Sequence, residues 1–565
     1  MLSFRLMLAA AVVFPVACSR GPRQGGSEGT SQVLRARLAP TRPPAYASGD
    51  VKAAETWRSV RRLYETTGYQ PVWLAKGRAR PEIAVLRDAI QRAEADGLDP
   101  AQYDLGSADT LQASPGRGLF KKGGDPEPLL EADVRLSYTF LKFAVHLERG
   151  RVPPGQVDAH WFGSQRDEDL VEALKVSLDS GKLGESLERL KSQHPQYAAL
   201  KKVLARYREV AANGGWSKLP AGLTLRPGRP DPQVAVLRAH LVATGDLDPS
   251  VLVPTAAPAA PIFDGATQEA LKRFERRHGL AADGRLDREV LAALNIPVEE
   301  RIRQIELSLE RWRWLPETLG DRYVLVNIPT YHLTAVDHGQ VSLQMRVVTG
   351  KPDSPTPIFS DEMTTVVFSP YWNVPPDIAR SETMPAVMRD PGYLGRNNLE
   401  VVRAGRVLDP WGVDWSRPGH VQFRQRPGAH NALGGVKFMF PNQFDVYLHD
   451  TPADALFARV ERDYSHGCVR VEKPVELAQW VLQDRSEWTP EKIQAAMSSG
   501  REQHVALQRH IPVYIVYETV WVADDGTVEF REDVYGHDAR QERVLPASPL
   551  PGSLQVAQPA ARRQA

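Results

Sequence analysis

Between residues 51 and 222 the apolar positions recur every three or four residues, the period of helices with one buried face. Leu130, Val134, Leu136, Phe140, Leu141, Ala144 and Leu147 keep that spacing, and Gly150 stands where such a helix should stop. Upstream, Pro81 suits a first helical turn, Ile83 to Ala95 continues it, and Asp96-Gly97 ends it. Residues 225–297 show the same period in three short pieces. Pro232 opens a helix with Val234, Leu237 and Leu241 on one face, closed by Gly245. Thr267 is expected to cap a second, carrying Ala270, Leu271 and Phe274 and stopped at His278-Gly279, and Asp287 a third with Val290, Leu291 and Leu294. A Pro/Ala-rich insertion runs from Val253 to Pro261. Val298 to Trp314 reads as a connecting helix (298–320 with its exit), with Ile302, Ile305, Leu309 and Trp312 on one stripe.

From Arg322 the period changes to two, the pattern of strands with one face on a core. Tyr323 to Ile328, Tyr331 to Val336 and Val341 to Thr349 read as strands, with a turn at Asp337-His338-Gly339. Thr364 to Phe368, a closing strand Pro512 to Val522, and Val528 to Arg531 after an Asp524-Asp525-Gly526 turn continue the series. Pro474 to Leu482 is a short helix. A long Pro-, Gly- and Arg-rich stretch at 378–443 interrupts the strands, and loops of that length inside a domain are usually functional. The pattern predicts a multidomain α+β chain. A helical scaffold (51–222) is followed by a three-helix unit (225–297), a mainly-β domain (321–533) and a polar tail (534–565).

Composition bounds this picture more than it changes it. A length of 565 residues fits three or four domains, and a net charge of +1 gives no basic footprint for nucleic acid. With 42% hydrophobic residues and a mean hydropathy of −0.36 there is apolar material for cores, and no apolar run after the N-terminus is long enough to cross a bilayer. At the N-terminus, Arg5 and the apolar run Leu6 to Ala17 form an export signal over residues 1–18. Pro15-Val16-Ala17-Cys18 resembles a lipoprotein processing site, with Pro15 where leucine is usual, so Cys18 is the expected lipidation site. Residues 19–50, rich in Gly, Pro, Ser and Arg, read as a flexible tether. The chain is then expected in the periplasm, held at the outer membrane through acylated Cys18.

The candidate chemistry lies in Tyr464-Ser465-His466-Gly467-Cys468-Val469-Arg470. Cys468 is one of two cysteines. If Cys18 is acylated, Cys468 has no intramolecular partner in an oxidising compartment, which catalysis explains more readily than packing. A thiol is a weak nucleophile, with a pKa of about 8.5, until a base or cation shifts it toward thiolate. Gly467 permits a tight turn whose N–H groups, with that of Cys468, are expected to face an oxyanion. In Phe444 to Asp450, apolar Phe444, Val446 and Leu448 alternate with Asp445, Tyr447 and His449, a strand with Tyr447 and His449 on its polar face. His449 precedes Cys468 by nineteen positions, room for a loop returning beside that strand. A loop cysteine alone is more often structural and a strand-end histidine more often a surface residue; the pairing gives both a role. His449 and His466 are both candidate bases. No HExxH occurs and the cysteines are too few for a metal site, so no metal or cofactor is expected.

His449, fifteen intervening residues and then Ser465-His466-Gly467-Cys468 resemble the signature of the L,D-transpeptidases that crosslink bacterial peptidoglycan. Tyr447-Leu448-His449-Asp450-Thr451-Pro452, Leu456 to Arg459, and Arg470 where smaller members often carry asparagine are similar to the large branch of that family. Tyr64, Tyr69, Trp73 and Leu74 resemble the opening of its scaffold domain, and Phe263-Asp264-Gly265-Ala266-Thr267 with Gly279-Leu280 through Asp283-Gly284 resembles a peptidoglycan-binding domain. The resemblance implies a sandwich or barrel-like catalytic domain whose 378–443 insertion caps the site. It implies Cys468 as nucleophile, His449 rather than His466 as base, and the carbonyl of Asp450 as the group that fixes the His449 tautomer. Ser465, His466 and Tyr447 are then expected at the donor site, with Trp372 and Asn373 nearby, and Arg470 is a candidate either for binding a stem carboxylate or for fixing the loop. The implied partners are a donor tetrapeptide stem and an acceptor amine, and carbapenem-type β-lactams as inhibitors. The same pair with water as acceptor would give a thiol carboxypeptidase, and with a wall-lipoprotein amine an attachment enzyme. A purely structural wall-binding protein would need only the 225–297 unit.

Overall fold

The computed structural model describes residues 25–545 apart from 48, 76–77, 114–125, 160, 162–165 and 253–259; the expected export signal and Cys18 lie outside the described residues. The helix Glu127–Arg149 is the spine of the N-terminal part, with Leu130, Phe140, Leu141, Ala144 and Leu147 buried and Gly150, at φ 73°, ending it. The helices Ala53–Thr66, Glu82–Gln91, Leu170–Ser180 and Leu183–Leu190, with the short hairpin β1 (Leu74–Ala75) and β2 (Arg78–Ala79), complete its core. The tether expected at 19–50 gives way here. Gly25–Leu38 is helical, with Leu34 and Leu38 buried in the scaffold core and Arg37 paired with Glu131. The Gly-rich start of this segment masked an apolar i,i+4 pair that only burial against the spine makes decisive.

The helices Pro195–Ala212 and Val298–Trp312 share a core with the end of the β domain, through Tyr197, Leu204, Ile302, Trp312, Val520 and Phe530. Glu310 is fully buried at this junction. It accepts the Arg151 backbone N–H, a bond from Arg151 Nε at 3.3 Å, and one from Arg313 Nη1 at 2.8 Å. The three-helix unit comprises Gln233–Thr244, Gly265–Arg277 and Arg288–Leu294 around its own apolar core. Its second helix is capped by Asp264 rather than Thr267. The Asp264 carboxylate accepts the Thr267 N–H at 2.9 Å and its hydroxyl at 2.6 Å, the usual Ncap-to-N3 bond.

The β domain opens with β3 (Arg322–Asn327), β4 (His332–Asp337), β5 (Gln340–Gly350) and β6 (Phe359–Phe368). His338 (φ 49°) and Gly339 (φ 72°) make the left-handed two-residue turn that hairpins favour. Then follow β7 (Trp372–Asn373), β8 (Leu399–Arg403), β9 (Arg406–Leu408), β10 (Gln422–Gln425), β11 (Val436–Met439), β12 (Leu448–His449), β13 (Asp463–Ser465), β14 (Val469–Val471) and β15 (Gln503–Val516). The large sheet runs β5-β14-β12-β11-β6-β15-β3-β4, and β4 pairs back to β5, so the sheet closes on itself, with β13 added beside β5. Val326, Met345, Val366, Phe438, Leu448 and Val469 form its core.

Three boundaries differ from expectation. β7 to β10 form a separate four-stranded sheet with its own core of Val374, Val387, Leu394, Val401 and Phe423, whereas β11 belongs to the large sheet, so the insertion spans about 372–425 rather than 378–443. The closing strand stops at Val516, and Val520–Val522 (β16) pairs with Val528–Phe530 (β17) as a hairpin apart from the large sheet. The polar tail begins later than 534. Tyr535, His537 and Gln541 are buried, the helix His537–Val544 packs on the connecting helix, and Asp538 pairs with Arg311. That helix is polar in sequence because it is held by buried hydrogen bonds more than by an apolar stripe.

Candidate active site

Strands β11, β12 and β14 stand side by side. Their register sets Lys437 opposite His449 and His449 opposite Arg470. Registered partners share a face and neighbours along a strand alternate. Phe438, Leu448 and Val469 therefore fill the core face, and Lys437, Tyr447, His449 and Arg470 project from the other. Cys468 enters β14 beside Tyr447, whose carbonyl accepts the Val469 N–H at 3.1 Å. The thiol is half-buried and lies 3.7 Å from the Asp445 carbonyl oxygen.

The strand expected from Phe444 to His449 is only two residues long. Asp445 sits at φ 54°, and the Asn442 side chain ties the preceding loop, accepting from Phe444 N at 3.0 Å and Val446 N at 3.2 Å. The alternation persists through that loop, so Tyr447 and His449 share a side, with ring centres 5.7 Å apart.

His449 is 5% exposed, and its Nδ1 lies 2.5 Å from the Asp450 carbonyl oxygen. A carbonyl can only accept, so Nδ1 carries the proton and Nε2 is left as an acceptor. Burial lowers its pKa to about 3, the nearby Arg470 and Lys437 cations pushing the same way and the Asp450 carbonyl opposing them. Burial pushes the Cys468 thiol up, against the pull of Tyr447 and Arg470. At rest the thiol is therefore held un-ionised and the imidazole neutral. The Asp450 carboxylate is occupied elsewhere, accepting Gly435 N and Thr451 N, each at 2.7 Å. Gly434, at φ 60°, leaves it room, since a Cβ there would stand 2.3 Å from Asp450 Cγ.

The nucleophile loop is held from beneath. Gly467 lies at φ 113°, its N–H donates to Ser465 Oγ at 3.1 Å, and Ser465 Oγ donates to the Cys468 carbonyl at 2.5 Å. The Gly467 N–H is thus engaged and does not face an oxyanion, while the Cys468 N–H has no protein acceptor among the described residues. Thr356 Oγ1 donates to the Gly467 carbonyl at 2.7 Å and accepts Gly350 N at 2.8 Å. Tyr535 joins the same loop, its hydroxyl bonded to the Gly350 carbonyl and accepting Thr356 N at 3.3 Å. Thr356 and Tyr535 lie far from the motif in sequence, and no local signal marks them.

Not every nominated residue joins the pair. His466 turns to the insertion, its Nε2 2.8 Å from Glu382 Oε1. Trp372 and Asn373 form β7, register with Gln425 and Arg424, and belong to the insertion; neither makes a hydrogen bond or ring contact with Cys468 or His449 among the described residues. Arg470 does share the face of His449 and Cys468. Lys437 carries no motif that marks it in the sequence. Its Nζ lies 5.6 Å over the Tyr447 ring, and only the β11–β12 register reveals its place. Among the described residues no group of three or more His, Cys, Asp or Glu is placed to hold a metal ion, and no helix is long and apolar enough to cross a membrane.

Residues 58–204 match the family profile described as "Scaffold domain", residues 230–294 that of a "Putative peptidoglycan binding domain", and residues 321–515 that of the "L,D-transpeptidase catalytic domain". Over 267 residues the chain is 33% identical to a "Putative L,D-transpeptidase" of Haemophilus influenzae, an alignment covering 46% of this chain and 54% of that one. The chain therefore spans about half the length of the curated relative it matches. Similar solved structures include an L,D-transpeptidase from Mycobacterium smegmatis (14% identity, 35% of this chain and 58% of that one, TM-score 0.16). Another is the LD transpeptidase LdtMt1 in complex with imipenem (16% identity, 35% and 59%, TM-score 0.18).

Proposed function

We propose, from the premise that this chain carries an L,D-transpeptidase catalytic domain behind a scaffold domain and a peptidoglycan-binding domain, that it forms 3→3 crosslinks between peptidoglycan stems through a thioester on Cys468. The observation that carries the reading is the Nδ1–H bond from His449 to the Asp450 carbonyl, which leaves Nε2 as a base on the face shared with Cys468.

In the first half-reaction Nε2 takes the thiol proton as Sγ attacks the carbonyl of the third residue of a tetrapeptide stem. The Cys468 N–H, free of protein acceptors among the described residues, donates to the developing oxyanion. The imidazolium returns the proton to the departing nitrogen of D-Ala as the C–N bond breaks and the thioester remains. In the second, an amine from a neighbouring stem attacks the thioester, giving a proton to Nε2. The C–S bond breaks, and the thiolate recovers that proton. Burial keeps the imidazole neutral, so Nε2 is free to accept the proton. Tyr447 lines the donor site. A carbapenem would acylate Cys468 in the same way. Export of the chain to the periplasm and a lipid anchor on Cys18 at the outer membrane fit the sequence of residues 1–18.

The test is reaction of the full chain with a tetrapeptide donor and a stem acceptor, with products identified by mass spectrometry. The expected products are free D-Ala and a 3→3 linked dimer. A tripeptide formed by hydrolysis alone would make the protein a carboxypeptidase instead. Transfer only to a wall-lipoprotein amine would make it an attachment enzyme.

A further inference from the structure

Two cations flank the His449–Cys468 pair, Lys437 on β11 and Arg470 on β14, both on the outward face. Both are half-buried. Neither makes an ion pair or donates a side-chain hydrogen bond among the described residues, and Arg470 Nε is sealed from solvent without an acceptor. The acidic neighbour of Lys437 is Glu502. Its carboxylate already accepts the Tyr371 N–H at 2.9 Å and lies 3.5 Å from His504 Nε2. Arg470 has no acidic residue within ion-pair reach among the described residues. By contrast, Arg424 of the neighbouring insertion and Arg426 just beyond it both bind Glu400.

Among the described residues Lys437 has only the Tyr447 ring as a partner and Arg470 has no anion, and partly withdrawing two cations from water without a counter-charge is costly. A guanidinium and an ammonium together present several donors to one acidic group. We propose that Lys437 and Arg470 form a two-cation seat for a free carboxylate of the donor stem, next to the carbonyl that Cys468 attacks, so that the enzyme selects carboxylate-bearing donors over amidated ones. The inference rests on the reading of Cys468 as an acyl-transfer nucleophile and adds to it the charge state of the donor. The carboxylate has two possible sources in a tetrapeptide, the terminal group of the departing residue and a side-chain carboxylate of the third residue.

Three donors separate these sources: the unmodified tetrapeptide with a third-residue side-chain carboxylate, its C-terminal amide, and its side-chain amide. Thioester formation on the full-length protein is followed by intact mass. One amide should lower kcat/KM by about 10- to 100-fold, chiefly through KM, the range for losing a charge-assisted hydrogen bond; which amide does so identifies the seated carboxylate. Lys437→Met and Arg470→Met should each slow the unmodified donor and abolish its advantage over that amide, and Lys437→Arg should restore it. Equal rates for all three donors in the wild-type protein would overturn the seat. So would variants that slow all three donors alike, since the cations would then serve only the thiolate. No thioester with any donor would instead overturn the transfer reading on which the seat depends.

Discussion

Because burial pushes the Cys468 thiol up and holds the His449 imidazole neutral, Cys468 should react with a small alkylating agent only through the minor thiolate fraction of a thiol un-ionised at rest. The perturbation is pH, from 5 to 10, with and without His449→Ala. An ordinary cysteine with a pKa of about 8.5 is about 3% thiolate at pH 7, and a thiol raised by burial holds less. A preformed thiolate–imidazolium pair would be almost fully ionised at pH 7 and would alkylate about 30-fold faster than that ordinary cysteine. Iodoacetamide labelling of Cys468, read by intact mass, should therefore be slower than for free cysteine at pH 7. It should climb about tenfold per pH unit through pH 8, the slope of a thiolate fraction well below its pKa. His449→Ala should leave that profile nearly unchanged while lowering thioester formation from a donor stem by about 10² to 10⁴, the usual worth of a general base. A plateau of reactivity between pH 5 and 7 that disappears in His449→Ala would refute the reasoning, for it would show an ion pair at rest.

Thr356→Val removes the hydroxyl that bonds both Gly467 O and Gly350 N, and should cut acylation about tenfold or more, at about 1–3 kcal/mol for each buried group left unpaired. Thr356→Ser should restore most of the rate. Gly434→Ala places a Cβ against the Asp450 carboxylate in a left-handed backbone position and should displace the carbonyl that orients His449. Its kcat should fall while circular dichroism remains that of the wild-type protein. Glu310→Gln weakens the buried link between Arg151 of the scaffold and Arg313 beyond the connecting helix. Breaking a buried pair costs about 3–5 kcal/mol, so a clear drop in melting temperature is expected, and an unchanged melt would mean that the junction does not depend on this charge.

The helical spine and the hairpin strands of the β domain were legible because their apolar periods run long and end at Gly or turn residues, as at Gly150 and at His338-Gly339. The helix Gly25–Leu38 was not, because its composition is that of a linker and its two buried leucines acquire meaning only against the scaffold. The helix His537–Val544 escaped for a related reason: Gln541, fully buried, donates to the Leu307 carbonyl at 3.2 Å, a tertiary contact that no local pattern encodes. In the site, Cys468 and His449 stood out through residue type and spacing. The parallel register of β12 with β14 sets Cys468 beside Tyr447 and His449 opposite Arg470. What stayed hidden were contacts across the sheet or between distant loops: Lys437 through the β11 register, Thr356 beneath Gly467, and Glu382 on His466. The engaged Gly467 N–H was hidden too, since a Ser465 side chain competing with the backbone for that donor is a matter of geometry.

The central claim is that Cys468 alone carries the acyl group, and intact mass of the full chain after incubation with a tetrapeptide donor and no acceptor tests it most directly. The account predicts a single adduct of the donor less D-Ala, mapped to Cys468 by peptide digestion, discharged by added amine and absent in Cys468→Ala. An adduct that persists in Cys468→Ala, or one that maps to another residue, would contradict it.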